Sequence, residues 1–237
     1  MEPQIQFVYI GLTQQLLLGI VDVPNLAEEQ NMGAITQAIS ERRSIRKFLD
    51  KPVNEEIIAQ IITAGQQAPS RGNSQPWHFV VVNDKSIKAE LYEACYNQQL
   101  IVDAPFCIVV LGIIDPRKNV PDRTEELVQT GAFGREVKDF ADHILDDWDL
   151  AELKVDAALN ASIPATQMSL AALDFGLGSC WVKLAKDDSV IDVVGANDRF
   201  YHAGTLAFGY PDQSPKARPR LPLTEIVSHN KVGKPYF

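Results

Sequence analysis

The sequence predicts an α+β fold, because amphipathic helical patterns alternate along the chain with short apolar runs of strand length. The helical pattern is clearest after Asn54, an N-cap residue that is followed by two glutamates and then by isoleucines at helical spacing. Residues 78–83 and 106–114 are strand-like, and the second run is apolar enough to be buried on both faces of a sheet. No Gly/Ser-rich or Pro-rich linker divides the middle of the 237 residues, which favours one compact domain.

The order of the predicted elements follows from these periodicities and from the turn residues between them. The elements are a helix ending at 41–43, a helix from 54, a strand at 78–83, a helix from 84 to about 97, a strand at 106–114, a helix at 157–175, a strand at 179–184, a helix at 188–194 and a strand at 205–208. Pro164 predicts a kink in the long helix. Residues 115–156 carry twelve acidic and six basic side chains, which predicts a helical excursion over the domain.

Charge and cysteine content limit the classes of partner and location. The net charge of -9 argues against nucleic acid or an anionic membrane as the main partner, because both favour basic surfaces. Cys95, Cys107 and Cys180 are odd in number and lack CxxC spacing, so neither a disulfide framework nor a structural zinc site is expected. A reducing, cytoplasmic location fits this pattern.

Residues 1–31 are predicted to be an N-terminal extension of uncertain status. Their apolar stretch, 7–23, is interrupted by polar residues and is not preceded by a basic side chain, so it resembles neither a membrane span nor a signal peptide. Met32 stands just before the first amphipathic helix, which leaves two interpretations open: an upstream extension, or a start site assigned too early.

The segment 69–79 is the strongest candidate for a binding site. Two prolines and a glycine restrict or bend its backbone, and they present the side chains of Ser70, Asn73, Ser74 and Gln75 directly before a strand. A planar ligand with mixed donors and acceptors would suit such a loop. A polar turn that closes a helix-to-strand connection is the structural alternative, because turns are rich in the same residues.

Two basic clusters, 42–47 and 216–220, break an otherwise acidic chain. If they meet, their arginines and Ser44 would form a phosphate clamp, because a guanidinium matches phosphate oxygens two at a time. Arginines that complement a helix C-terminus, or a solvated basic turn, would explain each cluster taken alone.

Other catalytic patterns are weak. His78, His143, His202 and His229 form no HExxH or His-x-His pair, so a zinc hydrolase has no support. The chain lacks a P-loop, a complete dinucleotide fingerprint and a Gly-x-Ser-x-Gly elbow.

Five motifs, in their order along the chain, resemble the nitroreductase family of FMN-dependent oxidoreductases. They are Arg42–Phe48, Ala68–Trp77, Gly176–Trp181, Gly209–Pro211 and Arg218–Pro222. The resemblance covers about residues 33–227 and implies a nitroreductase-like FMN-binding domain at 32–227, followed by a C-terminal tail at 228–237. It further implies an α+β sandwich whose central mixed, mainly antiparallel sheet is covered by helices, in an interlocked homodimer with FMN at the interface.

The resemblance also implies the residues that would bind FMN. Arg42, Arg43 and Ser44 would hold the phosphate and ribityl end, Arg218 and Arg220 would complete the clamp, and Arg46 would lie near the pyrimidine edge of the flavin. Ser70, Asn73 and Gln75 would contact the ring, partly from the second subunit. The family brings backbone close to the flavin N5 at the segment that contains Lys183 and Leu184, where many members have glycine or an acidic residue instead.

The function implied by the resemblance is two-electron transfer from NAD(P)H to a small oxidant such as a nitroaromatic, quinone or enone, by a ping-pong mechanism. No catalytic side chain is predicted, because the flavin would carry the reaction. A specialised branch of the superfamily (dehalogenation, flavin fragmentation or azoline oxidation) and a flavin-binding sensory dimer without fast turnover stay open as alternatives. The excursion 115–156 occupies the region where the family varies its substrate lid.

Overall fold

A computed structural model describes residues 33–236, so the predicted extension 1–31 lies outside the described residues. Two compact units are present: residues 38–215 form one, and residues 33–37 with 216–236 form the other. The boundaries predicted at 32–227 and 228–237 stay predictions. Among the residues described, no helix is both long and apolar enough to cross a membrane.

The larger unit contains most of the helices and all four strands. The helices are α1 (Ala34–Glu41), α2 (Glu55–Gln66), α3 (Lys85–Ala94), α4 (Leu100–Asp103), α5 (Val120–Gln129), α6 (Arg135–His143), α7 (Leu150–Ala171), α8 (Asp187–Val193) and α9 (Leu223–Ile226). The strands are β1 (Trp77–Val82), β2 (Phe106–Ile113), β3 (Gly178–Val182) and β4 (Phe200–Gly209). Short 3₁₀ turns lie at Arg71–Asn73 and Ala172–Phe175. Helix α1 begins in the smaller unit, and α9 lies within it.

The four strands form one antiparallel sheet in the order β1-β2-β4-β3. A single parallel bridge joins Ser44 to Ser179 on β3, which makes the sheet mixed but mainly antiparallel and confirms the predicted fold class. Strand β2 is buried on both faces, as its apolar sequence predicts. One face packs against α2 and α7, and the other packs against α3, α4 and α8.

Helix α7 differs from its predicted bounds, whereas the kink predicted at Pro164 stays a prediction. It begins at Leu150 rather than 157, because Asp149 and Glu152 form a capping box: the Asp149 carboxylate accepts from the Glu152 N–H at 2.9 Å, and the Glu152 carboxylate accepts from the Asp149 N–H at 2.8 Å. The helix then runs unbroken through Pro164. The first two turns of α7 therefore belong to the segment that the sequence placed in the polar excursion.

Gly112 on β2 allows α7 to lie close against the sheet. A Cβ atom at this position would lie 2.5 Å from the carbonyl oxygen of Ala157, which is backbone and has no alternative rotamer. The close approach fixes which side of α7 faces the sheet and which side faces away.

Candidate functional site

The first basic cluster, residues 42–47, is called the basic segment below. It lies along strand β3 at one edge of the sheet. Besides the bridge between Ser44 and Ser179, the Ile45 N–H donates to the Ser179 carbonyl at 2.9 Å. Gly178 is required there, because a Cβ atom would lie 2.4 Å from Cγ1 of the buried Ile45. Backbone pairing therefore holds the predicted phosphate-binding segment against the first half of β3.

Two arginines and a serine of this segment influence the thiol of Cys180 electrostatically. Burial raises the pKa of the Cys180 thiol, and the charges of Arg46 and Arg42 together with a hydrogen bond from Ser44 oppose that rise. Arg42, Ser44 and Arg46, three of the predicted cofactor ligands, thus lie near enough to Cys180 to affect its pKa. The Arg43 guanidinium instead donates to the carbonyl oxygens of Ser40 at 2.6 Å and Arg42 at 2.9 Å, at the C-terminal end of α1, so its role as a cofactor ligand stays a prediction.

The amide loop, Ser70–Gln75, adopts a strained backbone. Gly72, Asn73 and Gln75 have φ angles of 54°, 53° and 47°, in the left-handed region that non-glycine residues rarely occupy. The Ser70 hydroxyl accepts from the Gln75 N–H at 2.9 Å, and Gln75 Nε2 donates to Asn73 Oδ1 at 3.2 Å. Two non-glycine residues in this conformation cost about 1 kcal/mol each, and such strain concentrates at ligand sites.

Ser74 leaves a polar group of the loop without a partner. Its residue is buried, and its hydroxyl oxygen has no hydrogen-bond partner among the described residues. An unsatisfied buried hydroxyl costs free energy that a bound polar ligand would recover. The donors and acceptors of this loop therefore fit the polar edge of a planar ligand such as a flavin.

An ion pair that the sequence did not reveal anchors the loop to α7. Arg71 donates from Nε and Nη2 to the two carboxylate oxygens of Asp156, each at 3.0 Å, and its backbone N–H donates to Asn160 Oδ1 at 3.0 Å. The Arg71 guanidinium also lies over the Trp148 ring. Asp156 and Asn160 are buried one turn apart on an otherwise apolar helix face, and that spacing is the signal in the sequence that could have identified them.

Part of the acidic excursion covers the loop. Helix α5 lies against the 3₁₀ turn at Arg71–Asn73, and a Cβ atom at Gly72 would reach Thr124 Cγ2 at 3.9 Å. This contact places α5 where a lid over the loop would sit. The role of the excursion as a substrate lid stays a prediction.

Lys183 follows the end of β3 and is held by an ion pair. Its Nζ lies 2.8 and 2.7 Å from the two carboxylate oxygens of Asp187 and donates to the His202 carbonyl at 2.8 Å. Leu184 is exposed, and its carbonyl accepts from Gln98 Nε2 at 2.9 Å. The ammonium group of Lys183, which is predicted to lie near a flavin, is therefore neutralised within its own chain.

His202 extends this network into the interior. Its Nδ1 lies 2.8 Å from Asp187 Oδ1 and its Nε2 lies 3.0 Å from Thr205 Oγ1, in a site that is 1% exposed. Burial lowers the pKa of His202 below its ordinary value, although the hydrogen bond to Asp187 opposes this. Burial also opposes ionisation of Asp187, but the hydrogen bonds from Lys183 and His202 hold the pKa of that carboxyl below its usual range.

The amide loop and the basic segment lie at opposite edges of the sheet. The loop leads into Trp77, the first residue of the edge strand β1, whereas Ser44 pairs with the other edge strand, β3. Three inter-strand steps separate these strands, roughly 14 Å at the usual spacing. The structure therefore gathers the predicted ligands into two groups rather than one.

Arg218 and Arg220 belong to the smaller unit, where both are exposed. Arg220 Nη1 lies 3.4 Å from the Pro219 carbonyl. The clamp that would join them to Arg42 stays a prediction. Within residues 33–236, no three His, Cys, Asp or Glu side chains are placed to hold a metal ion.

The fold and the two groups of polar side chains define an α+β sandwich of the nitroreductase type. The sequence profile of the Nitroreductase family matches residues 39–210. The chain belongs to this family, which confirms the resemblance seen in its motifs.

Known proteins support the same assignment. An NADH dehydrogenase of Thermus thermophilus is 30% identical over 193 residues, which are 80% of this chain and 93% of that protein. An NADPH-dependent oxidoreductase of Staphylococcus aureus is 24% identical over 197 residues, 81% of this chain and 72% of that protein. A structure from Exiguobacterium sibiricum, solved in complex with FMN, superposes with a TM-score of 0.73 at 22% identity and covers 85% of this chain and 99% of its own.

Replacing Arg71 with methionine should destabilise the protein by about 3 kcal/mol, because it leaves the buried Asp156 carboxylate without its counter-charge. Chemical denaturation would measure the change. Arg117→Met is the matched control, since it removes an Arg–Asp pair whose side chains are 40% and 45% exposed and should cost no more than about 1 kcal/mol. Equal losses in the two variants would contradict the anchoring role of Arg71.

The buried imidazole should make stability fall as the pH drops below the ordinary histidine pKa of about 6.5. Since the pKa of His202 is lowered in the folded state, its contribution is present above the unfolded value of about 6.5 and is lost as the pH falls below it. His202→Gln should flatten this part of the profile, measured as the denaturation midpoint at several pH values. The exposed His143 gives the control His143→Gln, which should retain the wild-type dependence.

Proposed function

We propose that this protein is an FMN-dependent oxidoreductase that moves two electrons from NAD(P)H to a small oxidant, such as a nitroaromatic, quinone or enone, by a ping-pong cycle. The observation that carries the proposal is the strained amide loop, in which the Ser74 hydroxyl has no partner among the described residues. The same nitroreductase fold also carries a basic segment with Arg42, Ser44 and Arg46. The names of the Thermus and Staphylococcus relatives support a nicotinamide donor, and the FMN complex of the Exiguobacterium protein supports the cofactor.

The basic segment would hold the anionic end of FMN. Arg42 and Ser44 provide charged and neutral donors beside β3, and Arg218 and Arg220 would complete a clamp. Arg46, which is exposed, would stabilise negative charge on the flavin ring. Bound FMN would supply the hydride-accepting and electron-donating centre, so no side chain of this chain has to act as a nucleophile or general base.

The amide loop would orient the ring. Asn73 and Ser74 offer donors and acceptors for its polar edge, and Ser70 and Gln75 keep the loop in its left-handed conformation through their hydrogen bonds to one another and to Asn73. Arg71 fixes the whole loop on α7. Because the loop is preorganised in this way, little ordering entropy would be lost when the cofactor binds.

We also propose that two copies of the chain assemble so that the loop of one reaches the basic segment of the other. The two groups of ligands lie at opposite edges of the sheet within one chain, and a two-fold axis would bring each loop to the partner's basic segment. Val155, Leu159 and Ile163 form an outward stripe on α7 at four-residue spacing, with 60%, 64% and 39% of their surfaces exposed. A second copy would cover this stripe.

The three cysteines are free and buried, which suits a reducing compartment. Burial raises the pKa of Cys95 to about 11 and that of Cys107 to about 12. These thiols therefore stay protonated at neutral pH and pack as apolar side chains. We propose a cytoplasmic location because the cysteines are free.

The visible absorption spectrum of the purified protein tests the cofactor assignment. Flavin bands are expected, and they should bleach when NADH or NADPH is added without oxygen; the nucleotide that bleaches them faster is the preferred donor.

Arg42→Ala with Arg220→Ala should weaken FMN binding at least tenfold, because charged hydrogen bonds to the phosphate are lost.

The exposed Arg199 provides the control for this double variant, since Arg199→Ala removes a surface charge outside the predicted clamp. Circular dichroism establishes whether each variant is folded. A colourless protein that stays colourless after FMN is added would overturn the cofactor assignment, and unchanged FMN occupancy in the folded double variant would overturn the clamp alone.

Leu159→Glu should weaken self-association at least about thirtyfold, because it buries a charge in the apolar stripe on α7. Light scattering after size-exclusion chromatography would measure the mass. Phe140→Glu is the control, since it alters an equally exposed apolar side chain on α6. If the ligands come from two chains, the monomeric variant should also lose FMN, so a monomer that retains FMN with wild-type affinity would contradict the shared site.

A further inference from the structure

A cavity of about 540 Å³ lies in the larger unit. The segment 48–52, the start of α3 and the end of α4 surround it, and none of the predicted FMN-binding residues lines it. Three of its lining residues are lysines: Lys51, Lys85 and Lys88. Such a concentration of positive charge is unusual in a chain whose net charge is -9.

Lys88 places a charge in the interior without a carboxylate partner. The residue is 7% exposed and lines the cavity, and its Nζ donates to the carbonyl oxygens of Ala104 at 2.6 Å and Val102 at 3.1 Å, which leaves one of its three N–H groups for a further acceptor. Across residues 33–236, no ion pair to Lys88 is formed. Buried charges in proteins are usually paired, but the Lys88 ammonium group has no carboxylate counter-ion from the larger unit.

The thiol of Cys107 does not supply a negative charge to balance Lys88. Burial raises the pKa of Cys107 to about 12, even though the charge of Lys88 opposes the rise. The thiol therefore stays neutral at physiological pH. A counter-ion for Lys88 has to come from outside this pair.

The two lysines of α3 also stand where the helix disfavours them. Lys85 and Lys88 occupy the first turn of α3, three residues apart and hence on one side of the helix, and this turn contains no acidic residue. The helix dipole is positive at this end, so cations there are unfavourable, whereas an anion would be stabilised. The N-cap carboxylate of Asp84 is engaged by the N–H groups of Ser86 and Ile87.

Other lining residues limit what the cavity can hold. Lys51 Nζ lies 3.8 Å from the centre of the Tyr210 ring. Asp50 and Asp103 also line the cavity, and Asp103 accepts from Gln99 Nε2 at 2.8 Å. The lysines outnumber the aspartates by one, so a ligand with one anionic group is favoured over a polyanion.

We propose that this cavity binds a small oxyanion, the phosphate or carboxylate group of a polar metabolite, with Lys88 as its buried counter-charge and Lys51 and Lys85 as further donors. An ammonium group is a compact point charge with rotatable donors, which suits oxyanions of either geometry. The ligand would accept from the remaining N–H of Lys88 and offset the positive charge at the N-terminal end of α3. This site does not depend on flavin binding.

Isothermal titration calorimetry with inorganic phosphate, at constant ionic strength and on the full chain saturated with FMN, tests the proposal. Saturable binding is expected, and Lys88→Met should weaken it at least tenfold because the charged donor is lost while the apolar stem is kept. Lys154→Gln, which removes an exposed lysine on α7, should bind phosphate like the wild type. If Lys88→Met does not fold, the double variant Lys51→Gln with Lys85→Gln should show the same weakening.

Two further titrations identify which ligand group binds and at which site. Titration with acetate separates the ligand groups: binding of both ions with the same dependence on Lys88 supports a carboxylate or phosphate ligand, and binding of phosphate alone supports a phosphate ligand. Titration without added FMN shows whether phosphate also binds at the predicted clamp, since that binding would disappear when FMN is added. The absence of saturable binding, or binding that Lys88→Met and the double variant both leave unchanged, would overturn the proposal.

Discussion

The close approach of helix α7 to strand β2 is the constraint on which the candidate site depends. Because Gly112 has no side chain, the backbone of α7 at Ala157 lies directly on the sheet, and this contact sets the rotation of the helix about its axis. Asp156 and Asn160 then face the amide loop and anchor it. The same rotation turns Leu159 outward, so one packing contact orients both the loop and the exposed stripe.

The order of the strands imposes a second constraint. In an antiparallel sheet of order β1-β2-β4-β3, two strands lie between β1, which the amide loop enters, and β3, which pairs with the basic segment. The proposed second chain would bring its own loop to the basic segment and so avoid bridging this separation. The spacing of the strands therefore supports the proposed assembly independently of the ligand.

Features that local rules disfavour occur in this protein where ligands are proposed. Asn73 and Gln75 adopt left-handed backbone conformations, and the hydroxyl of Ser74 is buried without a partner. Lys85 and Lys88 stand at the positive end of a helix dipole. Sequences tend to break local rules at functional positions, where a bound ligand recovers the free energy. The network of Lys183, by contrast, is satisfied internally, which is why it stabilises the turn after β3 rather than offering a free cation.

The sequence by itself determined the α+β class, the approximate positions of the four strands, the burial of β2 and the residues that form the amide loop and basic segment, because these depend on local periodicity, on turn residues and on motifs that are contiguous in the chain. It placed the start of α7 seven residues too late, since a polar first turn with a capping box does not show apolar periodicity. Only the tertiary structure decided that Arg71 pairs with Asp156, that Lys183 is neutralised and that the two groups of ligands are separated. Residues far apart in sequence form these pairs, and packing of the sheet and helices, rather than any local pattern, sets their distances.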